Sequence, residues 1–193
     1  MAKQEGDARS RLQQSALALF KAKGYDQTTA AEIAAHSGVT ERTFFRHFSD
    51  KREVLFDGQD VLRRALVASI DAAPAGQGPL ALLFQAFRAV QPLLESNRPF
   101  AMPRQEIIAA TPALQEREVA KLAALTAALA GALKSRGIAD LPAALAAQAG
   151  MAAFAHATVS WLEAPVPALG QRMDEAFQAL TTLLRDDAGS MEG

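Results

Sequence analysis

Apolar residues recur along most of this chain at intervals of three and four, the spacing that gives a helix one buried side. Leu12, Ala16, Leu19 and Phe20 form such a stripe over residues 8–23, and Gly24 stops it. Thr29 followed three residues later by Glu32 is a capping box, so a second helix starts at Ala30 with Ile33 and Ala34 facing inward. It stops at Ser37-Gly38, where glycine takes the left-handed conformation at little cost, and Val39 plugs the core after the turn. Thr40 is a further N-cap, and Phe44 and Phe48 share one face of the helix it opens. Asp50 with Glu53 repeats the cap signal and predicts a helix from Lys51 to about Ala72, roughly 30 Å long. Gly58 interrupts that helix and allows a bend.

The pattern continues to the C-terminus. Residues 72–79 read as a loop, and residues 79–97 as a helix kinked at Pro92. Pro99 and Pro103 bracket an irregular stretch before a short helix ending near Ala110. Thr111-Pro112 opens a long helix to about Arg136, stopped by Gly137, and Asp140-Leu141-Pro142 opens another to about Glu163. Pro165 and Pro167 precede a last helix over residues 168–186. Residues 1–7 read as a loose arm, either a solvated tail or one whose Lys3, with Arg9 and Arg11 after it, touches phosphate or an adjacent minor groove, and residues 187–193 read as a frayed end. Alanine supplies much of the apolar half of the 193 residues while strand formers are scarce, so composition agrees with an all-α chain of about nine helices. The predicted division is a three-helix front, residues 1–52, and a helical bundle, residues 53–193.

Two helices joined by a short glycine turn form a helix-turn-helix, whose second helix can enter the DNA major groove. The turn alone is shared with helical hairpins that never meet DNA. The side chains after it narrow the choice: Phe44 and Phe48 are inward, leaving Glu41, Arg42, Thr43, Phe45, Arg46 and His47 on the remaining face. Arg42 suits guanine N7 and O6, Thr43 either kind of base edge, and Phe45 a thymine methyl. Thr29 and Lys51, at helix starts, suit phosphates.

Thr28-Thr29, Ile33-Ala34, Gly38-Val39-Thr40, Thr43-Phe44-Phe45, His47-Phe48 and Lys51 resemble, in order and spacing, the N-terminal domain of the TetR-type transcriptional regulators. The resemblance covers residues 8–58. It implies an all-helical homodimer that binds a palindromic operator in double-stranded DNA and releases it when a small-molecule effector enters the C-terminal domain. It also implies DNA contacts at Thr28, Thr29, Thr40, Arg42, Thr43, Phe45, His47 and Lys51. Phe45 stands where the family often has a tyrosine that touches phosphate, and Glu41 puts a negative charge on the reading helix.

Charge and chemistry change this picture little. The formal net charge is −1, yet residues 1–52 carry nine Lys or Arg against six Asp or Glu, placing a modest positive excess beside the proposed reading helix. With no cysteine and three scattered histidines, neither enzymatic activity, nor a metal site, nor a cofactor is expected. No stretch approaches the roughly 20 apolar residues of a membrane span, and no signal peptide is evident, so the chain reads as cytoplasmic. Candidate effector-binding residues in the bundle are Phe84, Phe87, Arg88 and Gln91 on one helix, Met102 in the irregular stretch, and Met151, Phe154, His156 and Trp161 on another, with ordinary core packing the alternative for each. Small residues at Ala146, Ala149, Gly150, Ala153 and Ala157, with a stripe of Met173, Phe177, Leu180 and Leu184, suggest a homodimer through the last two helices; burial of both stripes within one subunit is the alternative. Two other functions stay open on the residues alone: a non-specific or architectural DNA-binding protein, and a helical ligand-binding adaptor without a DNA role.

Overall fold

Ten helices make up the described residues of the computed structural model, in which the backbone is described for residues 2–190 and the side chains for residues 8–183. In order they are α1 (Ala2–Lys23), α2 (Ala30–His36), α3 (Glu41–His47), α4 (Glu53–Phe56), α5 (Gln59–Ala72), α6 (Pro79–Ala89), α7 (Gln91–Ala109), α8 (Pro112–Ser135), α9 (Asp140–Glu163) and α10 (Leu169–Ser190). No strand occurs among the described residues. The chain divides into two compact units, one running from its start to Gln59 and taking in Pro99–Ala120, the other Asp60–Arg98 with everything from Lys121 onward.

The first unit has one core. Leu12, Ala16 and Phe20 from α1, Ile33 from α2, Phe44 from α3 and Leu55 from α4 meet in it. Ile107, Ile108 and Leu114, from the end of α7 and the start of α8, complete it. Polar contacts hold the same pieces together. Arg104 donates its Nε to the Leu55 carbonyl at 2.5 Å and its Nη2 to Glu118 at 2.5 Å, with the guanidinium 5.1 Å from the centre of the Phe56 ring. Arg117 donates to Glu53 at 2.6 and 3.0 Å.

In the second unit α9 packs against both α6 and α10, which also meet each other. Phe87 stacks on Phe154 with ring centres 4.3 Å apart, and Phe177 approaches Phe84 at 4.9 Å and Phe87 at 5.8 Å. At Gly150 α6 packs closely on α9: a Cβ there would stand 2.9 Å from a Leu83 methyl.

Several expected boundaries shift, each for a local reason. The single long helix expected from Lys51 is broken into α4 and α5. Gly58 adopts φ +91°, and Asp57 before it is extended and gripped by a two-bonded Arg9 (2.6 and 2.5 Å) and by Gln13 at 3.2 Å. Asp50 does cap the turn before α4, accepting the amides of Arg52 and Glu53 at 2.7 and 3.1 Å. Burial pushes its carboxyl pKa up, but the Arg52 side chain and those two amides outweigh this and leave it below the ordinary value. The stretch expected to be irregular is helical, with Pro99 and Pro103 inside α7. Placed four apart, they remove ladder donors from one side of the helix. The break comes earlier, after α6, with Pro92 in the first turn of α7, where its missing donor is not needed. The cap of α9 is Ala139, one residue before the expected Asp140. The expected arm is also helical, since α1 begins at Ala2; the side chains of Lys3 and Leu184 lie outside the described residues.

Candidate nucleic-acid interface

The candidate surface is built from α2, the turn after it and α3. Thr29 accepts the Glu32 amide at 3.2 Å while the Glu32 carboxylate accepts the Thr29 amide at 2.8 Å, closing the capping box. Lys23 donates to the same carboxylate. Hydrogen bonds from Lys23 and then from the Thr29 amide and hydroxyl hold the Glu32 pKa down at about 2. At the far end of α2 the Ser37 hydroxyl donates to the Ile33 carbonyl at 2.7 Å, Gly38 adopts φ +70°, and the Val39 amide returns to Ala34 at 3.0 Å. This is the sharp reversal on which the motif depends.

Thr40 starts α3 and accepts the Thr43 amide at 3.2 Å. The helix then splits by face. Phe44 is fully buried and Phe48 nearly so, while the adjacent Phe45 is 50% exposed. Phe44 meets Phe45 edge-on at 5.3 Å, so the buried ring braces the exposed one. Thr40, Glu41, Arg42 and Arg46 are exposed; Thr43 and His47 are half-buried. Glu41 in the first turn and Arg46 with His47 in the last complement the helix dipole, which gives Glu41 a role that needs no base.

Other candidates are placed differently. Thr28 is fully buried, with its hydroxyl donating to the Gly24 carbonyl at 2.8 Å. It therefore braces the turn before α2 from inside. The Thr29 hydroxyl is shared between the Glu32 amide and carboxylate. Lys51 is half-buried, its ammonium facing backbone carbonyls. Arg9 is engaged with Asp57 and lies 5.1 Å from the Phe48 ring centre.

In the second unit the candidate ligand residues separate into two groups. Phe87, Met151, Phe154 and Trp161 are buried and Phe84 half-buried, and the phenylalanines meet one another at the centre. Arg88 and His156 are outside this cluster. Arg88 is exposed 3.6 Å from Asp174, and His156 lies on the outer groove between α9 and α10. Arg98, which the sequence did not single out, lies 5.4 Å from the Trp161 ring centre and donates to the Leu162 carbonyl at 3.2 Å. The two stripes assigned to a dimer also divide. Ala146, Gly150, Ala157, Met173 and Phe177 are buried inside the subunit, whereas Ala149, Ala153 and Leu180 line the outer groove. Among the described residues no group of three or more acidic or histidine side chains gathers as a metal would require, and no helix is long and apolar enough to cross a membrane.

A helix-turn-helix with an open second helix, followed by an all-helical unit, is the architecture of a helical transcriptional regulator. Residues 13–57 match the family described as bacterial regulatory proteins, tetR family, and residues 77–185 match the MftR C-terminal domain. The chain belongs to the tetR family of bacterial regulatory proteins. The HTH-type transcriptional regulator TcmR of Streptomyces glaucescens is 44% identical over 82 residues, which span 42% of this chain and 36% of that relative. Among solved structures, a transcriptional regulator from Pseudomonas aeruginosa PAO1 aligns with TM-score 0.65 at 22% identity, covering 93% of this chain and 91% of the other. NalD, the secondary repressor of the MexAB-OprM multidrug efflux pump in Pseudomonas aeruginosa, aligns with TM-score 0.63 at 18% identity, covering 93% and 96%. Thermus thermophilus FadR, a TetR-family repressor in complex with lauroyl-CoA, aligns at 0.55 and 22%, covering 90% and 93%.

Proposed function

We propose that this chain is a cytoplasmic, non-catalytic transcriptional repressor that binds a palindromic operator as a homodimer and lets go when a small-molecule effector occupies its second unit. The reading surface lies in residues 1–52, and the ligand-binding and dimerising parts in residues 53–193. The observation that carries the proposal is the face of α3, where Thr40, Arg42, Phe45 and Arg46 stand exposed while Phe44 and Phe48 anchor the helix from behind. A rigidly seated helix with a bare polar face fits a major groove. In this reading Arg42 donates to a guanine edge, Thr43 pairs with a base, Phe45 covers a thymine methyl, and Arg46 and His47 meet the backbone.

The dimer reading rests on the last two helices. Between α9 and α10 runs an outward groove of about 410 Å³ lined by alanines of both helices with Leu180 and Leu183, and by the polar side chains of His156, Ser160, Arg172 and Glu175. Leu141, Leu145 and Val159 are also exposed on α9. A surface of this kind is covered economically by the same surface of a second copy across a two-fold axis. A two-fold dimer on B-form DNA needs its two reading helices about 34–36 Å apart, one turn of the duplex. For the effector, the support is the aromatic centre of the second unit: an apolar ligand would have to part the Phe87–Phe154 stack, changing how α6 and α9 meet. The lauroyl-CoA complex of FadR is an instance of a ligand bound in this fold.

Selection of genomic fragments by the purified protein, followed by titration of the winner against a random duplex, tests the reading. Preferential binding is expected, with log affinity falling linearly against log salt at a slope of about −0.9 per phosphate neutralised. Equal affinity for both duplexes would make the protein architectural, and no retardation at low salt would leave it without a DNA role.

A further inference from the structure

Lys51 follows α3, on the turn into α4, and its ammonium does not face outward. It stands 2.8 Å from the Tyr25 carbonyl, 2.9 Å from the Thr28 carbonyl and 3.4 Å from the Asp26 carbonyl. The same nitrogen lies 4.2 Å from the centre of the Tyr25 ring, which is itself almost fully buried. An ammonium has three donors, and these neighbours occupy them. The three carbonyls belong to one loop, residues 24–29, which Thr28 also braces through its amide to Tyr25 at 3.2 Å and its hydroxyl to Gly24 at 2.8 Å. That loop leads directly into Thr29 and α2. Lys51 therefore joins the segment before α2 to the segment after α3, fastening the helix-turn-helix at both ends.

Resting on the DNA-binding reading above, we propose that Lys51 is a positioning residue, a clasp that fixes α3 relative to α2, and that it makes no direct phosphate contact. A phosphate ligand and a clasp have different signatures. A side chain that neutralises a phosphate strengthens binding to every sequence alike and contributes to the salt slope. A clasp contributes to no counterion release. It matters most where base edges must be met in register, so its loss falls on the preferred sequence.

The test compares the full-length protein with Lys51→Met and Lys51→Arg, using the fragment selected from genomic DNA and a random duplex of equal length. For Lys51→Met the expected result is a roughly tenfold loss on the selected fragment, a much smaller loss on the random duplex, and parallel salt slopes. Lys51→Arg, which keeps the charge and offers donors to the carbonyls, should recover most of the preference. Hydrogen exchange of the DNA-free protein gives a second measurement: amides 25–29 should exchange faster in Lys51→Met while those of α9 are unchanged. Equal losses on both duplexes with a salt slope smaller by about one would identify a phosphate contact and overturn the proposal. Unchanged exchange at residues 25–29 would overturn it as well. Because exchange is read without DNA, the clasp can fail while the DNA-binding reading stands, and the reverse.

Discussion

Arg104 Nη2 lies 2.5 Å from Glu118 Oε2 while Nε of the same guanidinium donates to the Leu55 carbonyl at 2.5 Å. One side chain thus ties α7, α8 and α4 together, and its own exposure is only 15%. Replacing it by alanine leaves the Leu55 carbonyl and the Glu118 carboxylate without this donor and strips a planar group from the Phe56 ring. Arg104→Ala should destabilise the first unit by about 1.5–3 kcal/mol, seen as a lower denaturant midpoint with an unchanged slope. A midpoint equal to that of the parent would show that the contact contributes nothing net.

The neighbours Phe44 and Phe45 should behave as opposites. Phe44 is fully buried, so Phe44→Ala creates a cavity and costs about 3–5 kcal/mol of stability. Phe45 is half exposed. Phe45→Ala should leave the thermal midpoint nearly unchanged and weaken binding to the selected operator. If Phe45→Ala unfolds the protein as readily as Phe44→Ala, the division of α3 into a seated face and a reading face is mistaken.

Arg42→Ala should cost about 1–3 kcal/mol on the operator and relax the preference at one base position, with little effect on random DNA. A selection repeated with the variant reads this directly. Recovery of an identical consensus would move guanine recognition to another side chain.

Glu32 predicts an acid limb. Its carboxyl sits at about 2 in the folded protein, against an ordinary 4.5, because Lys23 and the Thr29 amide and hydroxyl favour the charged form. The capping box therefore contributes its full stabilisation above pH 4.5 and loses it as pH falls through about 2. Protection factors of the amides at the start of α2, corrected for the intrinsic exchange rate at each pH, should fall across that window. In Glu32→Gln, protection there should be lower at neutral pH and flat over the same range; a parent-like acid limb in that variant would assign the titration elsewhere.

What the sequence made legible was local. Thr29 with Glu32, Thr40, and Asp50 with Glu53 each lie within one turn of the amides they cap, and Gly24, Gly38 and Gly137 all take positive φ where helices stop. The split of α3 into Phe44 against Arg42 and Phe45 follows from helical periodicity alone; Phe48, expected on the same helix, is the extended residue that ends it and is buried all the same. What stayed hidden joins distant parts of the chain: Arg9 with Asp57, Arg104 with Leu55, and Arg117 with Glu53 are separated by 48, 49 and 64 positions. The carbonyls that receive Lys51 leave no mark in side-chain spelling.

The second unit shows the same limit from another side. Phe87, Met151 and Phe154, candidates for an effector pocket by their spacing, are buried, with Phe84 half-buried beside them, but α9 is apolar on more than one face. Spacing alone gave no means of deciding which face α10 covers, so His156 was grouped with the interior and lies on the groove instead. Pro99 and Pro103 misled for the opposite reason. A proline pair is a strong breaker signal locally, and the seating of Ile107 and Ile108 in the first unit's core outweighs it.

That seating bears on how such a protein can be recombined. Anyone grafting the front of this chain onto a foreign sensor by cutting after residue 59 would leave behind Ile107, Ile108 and Leu114, and the transplanted piece would carry an empty greasy socket in its core. A working chimera must carry two separated stretches of sequence together, so exchange of reading heads between relatives is constrained to partners that bring their own plug.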